Sequence, residues 1–192
     1  MKTFIIKGNK AKTTPDFLLK DLPGSGGRMD ILCRCLTSAL LVSHGIRRDV
    51  EVILCLDGEP CPPRCIRVVG KEVRHLSPDE RSTAVLIKKA LKAYEEGTEV
   101  ESTPGIYISG KSFEDVVMEK KGTLVVLDEK AVSSAEIPYS DPCFVLGDHL
   151  GFTEAEEMLL RDAKVHISVS PTILHASHCI VLVHAMMDSI SV

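Results

Sequence analysis

Two short apolar runs near the C-terminal end, Cys143–Leu146 and Val165–Val169, constrain the fold most. Each leads into a small-residue loop and then into a helical pattern. Short apolar strands that alternate with helices argue for an α/β fold, a mostly parallel sheet with helices on both faces. In such sheets ligands sit at the carboxyl ends of the strands. The first loop is Gly147-Asp148-His149-Leu150-Gly151, and Thr153 with Glu156 three residues on predicts a capping box for the next helix. Glu154, Glu156 and Glu157 crowd that helix's first turn, which suits the helix dipole but repels a phosphate there. A dinucleotide or nucleoside triphosphate is therefore a poor ligand for this loop, and a ligand with a cationic portion a better one. The second loop, Ser170-Pro171-Thr172, offers backbone groups and hydroxyls, and an apolar helix is predicted over Ile173–Ile190.

The same patterning gives strands at Thr3–Lys7, Val50–Leu56, Cys65–Val69, Gly105–Ser109 and Thr123–Leu127. Gly8–Gly27 reads as a long loop. Gly24–Asp30 opens an amphipathic helix to about Ser43, closed by Gly45. That glycine-rich entry lacks the G-K-[ST] ending of a phosphate loop and follows no strand. Ser77-Pro78-Asp79-Glu80 reads as an N-cap, a first-turn proline and a capping Glu, for a helix to about Glu96. Ser112 caps a short helix to Lys120, and Ala131–Pro142 is a loop. From Val100 onward the alternation implies parallel strands. A chain of 192 residues can bury one substantial core, so residues 1–192 are read as a single domain.

Charge narrows the function. Residues 1–75 carry 13 Lys and Arg against 8 Asp and Glu, while residues 76–192 carry 10 against 19. A basic half beside an acidic half points the first towards a polyanion. Trp is absent and aromatics are only 4%, which argues against a binding surface of stacked rings. Seven cysteines, an odd number, follow a start (M-K-T-F-I-I-K-G) whose apolar core is too short for a signal peptide. Reduced thiols in the cytoplasm are expected. No apolar run reaches the roughly 18 residues of a membrane span, so no membrane partner is expected.

Several residues could carry chemistry. Cys61-Pro-Pro-Arg-Cys65 with Cys33-x-Cys35 is not a standard zinc spacing, and His175, His178, Cys179 and His184 lack an H-E-x-x-H pattern. No metal is expected. No G-x-S-x-G elbow is present for nucleophilic catalysis. Asp57 stands at a strand's carboxyl end, where a functional carboxylate would stand, although Asp57-Gly58 is also an ordinary turn pair. Arg64, Arg67, Lys71 and Arg74 would extend a basic surface.

The segment L-G-D-H-L-G-F-T-E-A-E-E (Leu146–Glu157), paired with I-S-V-S-P-T-I-L-H-A-S-H-C (Ile167–Cys179), resembles the SPOUT-class RNA methyltransferases. Within that class the chain looks most like the archaeal tRNA pseudouridine-54 N1-methyltransferases. The likeness runs the whole length, since G-S-G-G-R-M-D-I-L-C-R (Gly24–Arg34) fits as well. The resemblance implies a C-terminal trefoil knot around S-adenosylmethionine (SAM), a homodimer and a tRNA substrate. Spacing alone implies no knot, because knots are nearly absent from ordinary folds.

By the same resemblance the cofactor lies among three loops. These are Leu127-Asp128, Gly147-Asp148, and Ser170, Pro171, Thr172, Ile173, Leu174 and His175 with Cys179. Asp128 and Asp148 would receive its cationic methionine end. Arg28, Arg64 and Arg67 would contact tRNA phosphates, and Asp57 would take or orient the proton of pseudouridine N1. The alternatives are methylation of a ribosomal pseudouridine, a non-enzymatic RNA-binding module of this fold, and a metal-binding structural protein resting on the Cys and His clusters.

Overall fold

The computed structural model describes residues 1–120, 123–131, 137, 140–163 and 165–190. Most of the expected loop 131–142 lies outside them. Among the described residues, ten strands and five helices follow in the order β1 (Lys2–Gly8), α1 (Met29–Leu40), β2 (Leu41–Val42), β3 (Gly45–Ile46), β4 (Val50–Leu56), β5 (Arg64–Val69), α2 (Glu80–Lys92), β6 (Val100–Thr103), β7 (Ile106–Ser109), α3 (Phe113–Glu119), β8 (Leu124–Leu127), β9 (Cys143–Gly147), α4 (Glu154–Arg161), β10 (Val165–Ile167) and α5 (Ala176–Ile190).

Eight strands form one sheet in the order β10-β8-β9-β1-β4-β5-β7-β6. The five from β10 to β4 are parallel. Their sequences explain it: β4 reads V-E-V-I-L-C-L and is buried throughout, as a strand covered on both faces must be. Alternate side chains face two cores. Phe4, Ile6, Val52, Leu54, Phe144 and Leu146 pack with α1, α2 and α5. Ile5, Ile53, Cys143 and Val145 pack with Phe113, Val116 and Leu160 of α3 and α4. The neighbours Phe4 and Phe144 stack at 5.2 Å, and burying each phenyl contributes about 2–3 kcal/mol.

Some expected boundaries moved. The strands around Val100–Ser109 are not parallel: β6 and β7 form a hairpin antiparallel to β5. A two-residue connection, Pro104-Gly105, permits only antiparallel pairing. Gly105 holds φ +76, and a Cβ there would lie 2.3 Å from the Val73 amide. Helix α1 stops at Leu40 rather than Ser43, because residues 41–46 fold into the small β2–β3 hairpin. Asp79, not Ser77, caps α2, accepting from the Ser82 amide at 2.8 Å. That later start lets Glu80 reach Arg34 at 2.9 Å. Helix α5 starts at Ala176, leaving Ser170–His175 as loop. Its inner face buries Ile180, Val183, His184 and Met187, while Val181 is exposed. Among the described residues no helix is long and apolar enough to cross a membrane.

Candidate cofactor pocket and catalytic edge

Parallel strands all end on the same side, so β1, β4, β8, β9 and β10 deliver their loops to one sheet edge. At the β8–β10 end, the Asp128 amide donates to the Ile167 carbonyl at 2.9 Å, joining two of the expected loops. Leu127, Val169, Ala176 and Cys179 are partly buried against the same core cluster. Cys35 of α1 faces Cys179, and burial pushes its thiol up to about 12. Burial also holds the Cys179 thiol above its ordinary value. Both are packed, protonated thiols rather than nucleophiles or metal ligands.

Gly147 closes against Gly151: a Cβ on Gly147 would lie 2.8 Å from the Gly151 Cα. The Asp148 side chain in this loop is only 2% exposed. It accepts from the Asn9 amide and Asn9 Nδ2, both at 2.8 Å, and from the Leu150 amide at 2.9 Å. Three donors of this chain thus hold the Asp148 carboxylate, which is far less exposed than that of Asp128. Asp128 accepts from the Lys130 amide at 2.8 Å, has His166 Nδ1 3.9 Å from its other oxygen, and stays 39% exposed. The third loop is held by its own serines. Ser168 Oγ donates to the Ser170 carbonyl at 2.9 Å, and the Thr172 amide donates to Ser170 Oγ at 3.1 Å. Pro171, Ile173 and His175 are exposed, with Ile173 at 76%, while Leu174 is half-buried.

A second cluster lies where β1 and β4 end. Lys7, 3% exposed, forms ion pairs with Asp57 and with Glu156, which is also 3% exposed. Its ammonium lies 5.2 Å from the Phe113 ring centroid. Burial alone pushes the Lys7 ammonium down, yet the hydrogen bonds and charges of its two carboxylates outweigh that and hold it above its ordinary value. Burial likewise opposes the Glu156 carboxylate, but Lys7 and the Thr153 amide hold it below the usual range. Glu156 is also half of the expected capping box: its Oε2 accepts from the Thr153 amide at 2.8 Å. Asp57 and Gly58 run against the segment after β1: their amides donate to the Gly8 and Ala11 carbonyls at 3.0 and 2.9 Å, and a Cβ on Gly58 would lie 2.3 Å from the Lys10 carbonyl oxygen.

The three arginines expected to meet RNA separate. Arg28 sits at the α1 entry with φ 66 and reaches Asp30 through Nε at 3.0 Å and a terminal nitrogen at 3.1 Å. It stays partly exposed beside the candidate pocket. Arg64 opposes Leu56 at the same edge and stacks on Tyr94 at 3.7 Å. Arg67 lies mid-strand on the other face, bound to Glu99 at 3.1 and 2.6 Å and to Glu51 at 3.4 Å. Its guanidinium is thus paired with two carboxylates, Glu99 and Glu51, on the face away from Arg64. Lys71 and Arg74 line a cleft of about 580 Å³ beyond the far end of β5, at the opposite edge. The basic surface expected from Arg64 to Arg74 is therefore divided, because an extended strand carries its residues across the sheet.

Sequence reasoning missed Lys7, Asn9 and the pairing role of Glu156. The available signal was Lys7 itself, a charge closing the apolar run T-F-I-I and followed by Gly-Asn. Among the described residues, no three His, Cys, Asp or Glu side chains form a metal-ligand group.

This fold and edge belong to a class of enzymes: the chain is a member of the SAM-dependent RNA methyltransferase family, which matches residues 1–192. Its relatives include proteins named tRNA (pseudouridine(54)-N(1))-methyltransferase. The one from Methanocaldococcus jannaschii is 45% identical over 198 residues, covering 98% of this chain and 97% of that one. Those from Methanosarcina mazei and Thermococcus kodakarensis are 48% and 47% identical, covering 91% and 99% of their lengths. Among solved structures, Archaeoglobus fulgidus Nep1 bound to S-adenosylhomocysteine superposes with a TM-score of 0.67 over 99% of this chain and 98% of that one. At 15% identity this likeness bears on the fold.

Proposed function

We propose that the chain methylates N1 of pseudouridine 54 in the T-loop of tRNA, taking the methyl group from SAM. The observation that carries this reading is the meeting of two loop groups at one edge. Gly147 and Ser170–His175 stand on one side and Asp57 with Lys7 on the other, clamped together by Asn9 and Asp148.

The pocket suits SAM. Gly147 lets the loop fold closely onto Gly151, which a side chain would prevent, and the partly buried Leu127 and Cys179 offer apolar surface for an adenine ring. The backbone of Ser170, Pro171, Thr172, Ile173, Leu174 and His175 borders it, and Asp128 is the more exposed carboxylate for an ammonium group. When bound, SAM supplies an electrophilic methyl on a sulfonium. Pseudouridine N1 must lose its proton as it takes that methyl, and Asp57 accepts or orients the proton. Holding the nucleophile in line supplies much of the remaining catalysis.

Phosphate contacts fall to Arg28 and Arg64 and to α2 in place of Arg67. Arg81, Lys88 and Lys92 share one face of α2, and the helix's single carboxylate, Glu80, is committed to Arg34. Lys20 lines the same cleft as Arg81 and Lys88.

A C-terminal trefoil knot is our reading of the chain path. The chain leaves β9, reaches the outer strand β10 beside β8, and returns through α5 onto α1. A second copy of the chain would cover the exposed Leu150, Ile173 and Val181, giving a homodimer. A tRNA substrate places the reaction in the cytoplasm. The test is methyl transfer from labelled SAM to two tRNA transcripts, one with pseudouridine and one with uridine at position 54. The reading requires label in the first alone; equal label in both contradicts it.

A further inference from the structure

Lys7 is buried at the end of β1 between two carboxylates from different elements, Asp57 after β4 and Glu156 in the first turn of α4. A buried charge is costly unless paired, and one carboxylate would pair it. Two carboxylates leave the cluster with a net charge of −1. The elements packed around Asp57 bring Lys7 from β1, Glu156 from α4, the Phe113 ring from α3, and the thiols of Cys55 and Cys65 from β4 and β5. A hydrogen bond with Cys65, and then burial, hold the Cys55 thiol above its ordinary value.

We propose that Lys7 is a positioning residue for the proton transfer, fixing the Asp57 carboxylate while Glu156 keeps Lys7 paired after Asp57 is protonated. The inference rests on the methyl transfer proposed above. In that reaction the N1–H bond breaks and its electron pair forms the new N–CH3 bond. The proton passes to an Asp57 oxygen, and the pair of the broken methyl–sulfur bond stays on sulfur. Before transfer the cluster holds two carboxylates and one ammonium. Afterwards it holds a neutral carboxylic acid and a matched Lys7–Glu156 pair. Without Glu156, protonating Asp57 would leave a buried ammonium alone. The same Glu156 caps the helix that follows Gly147-Asp148, so the arrangement also links the proton acceptor to the cofactor loop.

The two partners of Asp57 act on it with opposite sign, which supplies the test. Lys7→Met removes the ammonium paired with the acceptor, and the acidic limb of the kcat profile moves up by about one pH unit. Removing the negative charge in Glu156→Gln, which keeps the capping geometry, moves that limb down by about one unit. The double variant Lys7→Met/Asp57→Asn should be no slower than Asp57→Asn alone, since Lys7 acts through Asp57. Limbs that stay in place, or that move in the same direction, overturn the assignment; so do losses that multiply in the double variant. Should Lys7→Met fail to fold, the downward shift in Glu156→Gln still decides. A wild-type chain that transfers no methyl overturns the underlying function instead, whereas an active wild type with unmoved variants overturns only the role of Lys7.

Discussion

Asn9 grips the Asp148 carboxylate with both its backbone amide and its side-chain amide, each at 2.8 Å. Its second side-chain hydrogen reaches the Gly151 carbonyl, also at 2.8 Å. One residue after β1 thus sets the loop after β9. Asn9→Ala leaves a buried carboxylate short of one donor and the loop carbonyl short of another. The expected result is a loss of about 1–3 kcal/mol in stability. If about 1.4 kcal/mol of that falls on the bound state, SAM binding weakens about tenfold. Calorimetry on the variant reads this directly, and wild-type affinity would remove Asn9 from the loop's support.

Gly147→Leu should abolish SAM binding. Its Cβ would lie 2.8 Å from the Gly151 Cα, so the loop must shift or the side chain must occupy the pocket. Gly147 is the last residue of β9, opposite Lys7, so the pairing before it can persist and circular dichroism should show native secondary structure. A folded variant that still binds SAM would place the cofactor elsewhere.

Arg28→Ala and Arg67→Ala should differ. Arg28 is partly exposed at the reactive edge, and its loss should lower the salt slope of tRNA binding by about one. Arg67 is held by Glu99 and Glu51, so its loss should leave the slope unchanged and lower stability. Binding measured at several salt concentrations distinguishes them; equal slope changes would restore Arg67 to the RNA surface.

His184 makes stability depend on pH. The Ala39 carbonyl at 2.9 Å can only accept, so His184 donates through Nε2, and its buried Nδ1 has no hydrogen-bond partner among the described residues. Burial, then the charge of Arg47, lowers this histidine to about 4 from an ordinary 6.5. A depressed histidine is neutral in both folded and unfolded chains above about pH 6.5. As pH falls towards 4 the unfolded chain takes the proton first, and about 3 kcal/mol of stability is lost. Urea unfolding at a series of pH values should show that loss in the wild type and a smaller one in His184→Phe. Identical slopes in both would assign the acid sensitivity to other groups.

The parallel half of the sheet was legible because its strands are continuous apolar runs, and the capping box at Thr153–Glu156 because both of its residues lie within one turn. Long-range pairing was not. Nothing local in Arg67 says that Glu99, thirty-two residues on, will claim it, and nothing in Asp148 says that Asn9 will. Lys7 shows the same limit: its partners arrive from β4 and α4 and meet only when the sheet assembles. The hairpin at Pro104-Gly105 was locally encoded, yet the broader strand–helix alternation concealed it.

The central claim is the site of methylation. The direct measurement is mass spectrometry of nuclease fragments from pseudouridylated tRNA incubated with the purified protein and isotope-labelled SAM. The account predicts labelled N1-methylpseudouridine in the T-loop fragment at position 54, and much less label there with Asp57→Asn at equal enzyme and time. Label on another nucleoside, or none in any fragment while the protein binds both SAM and tRNA, would contradict it.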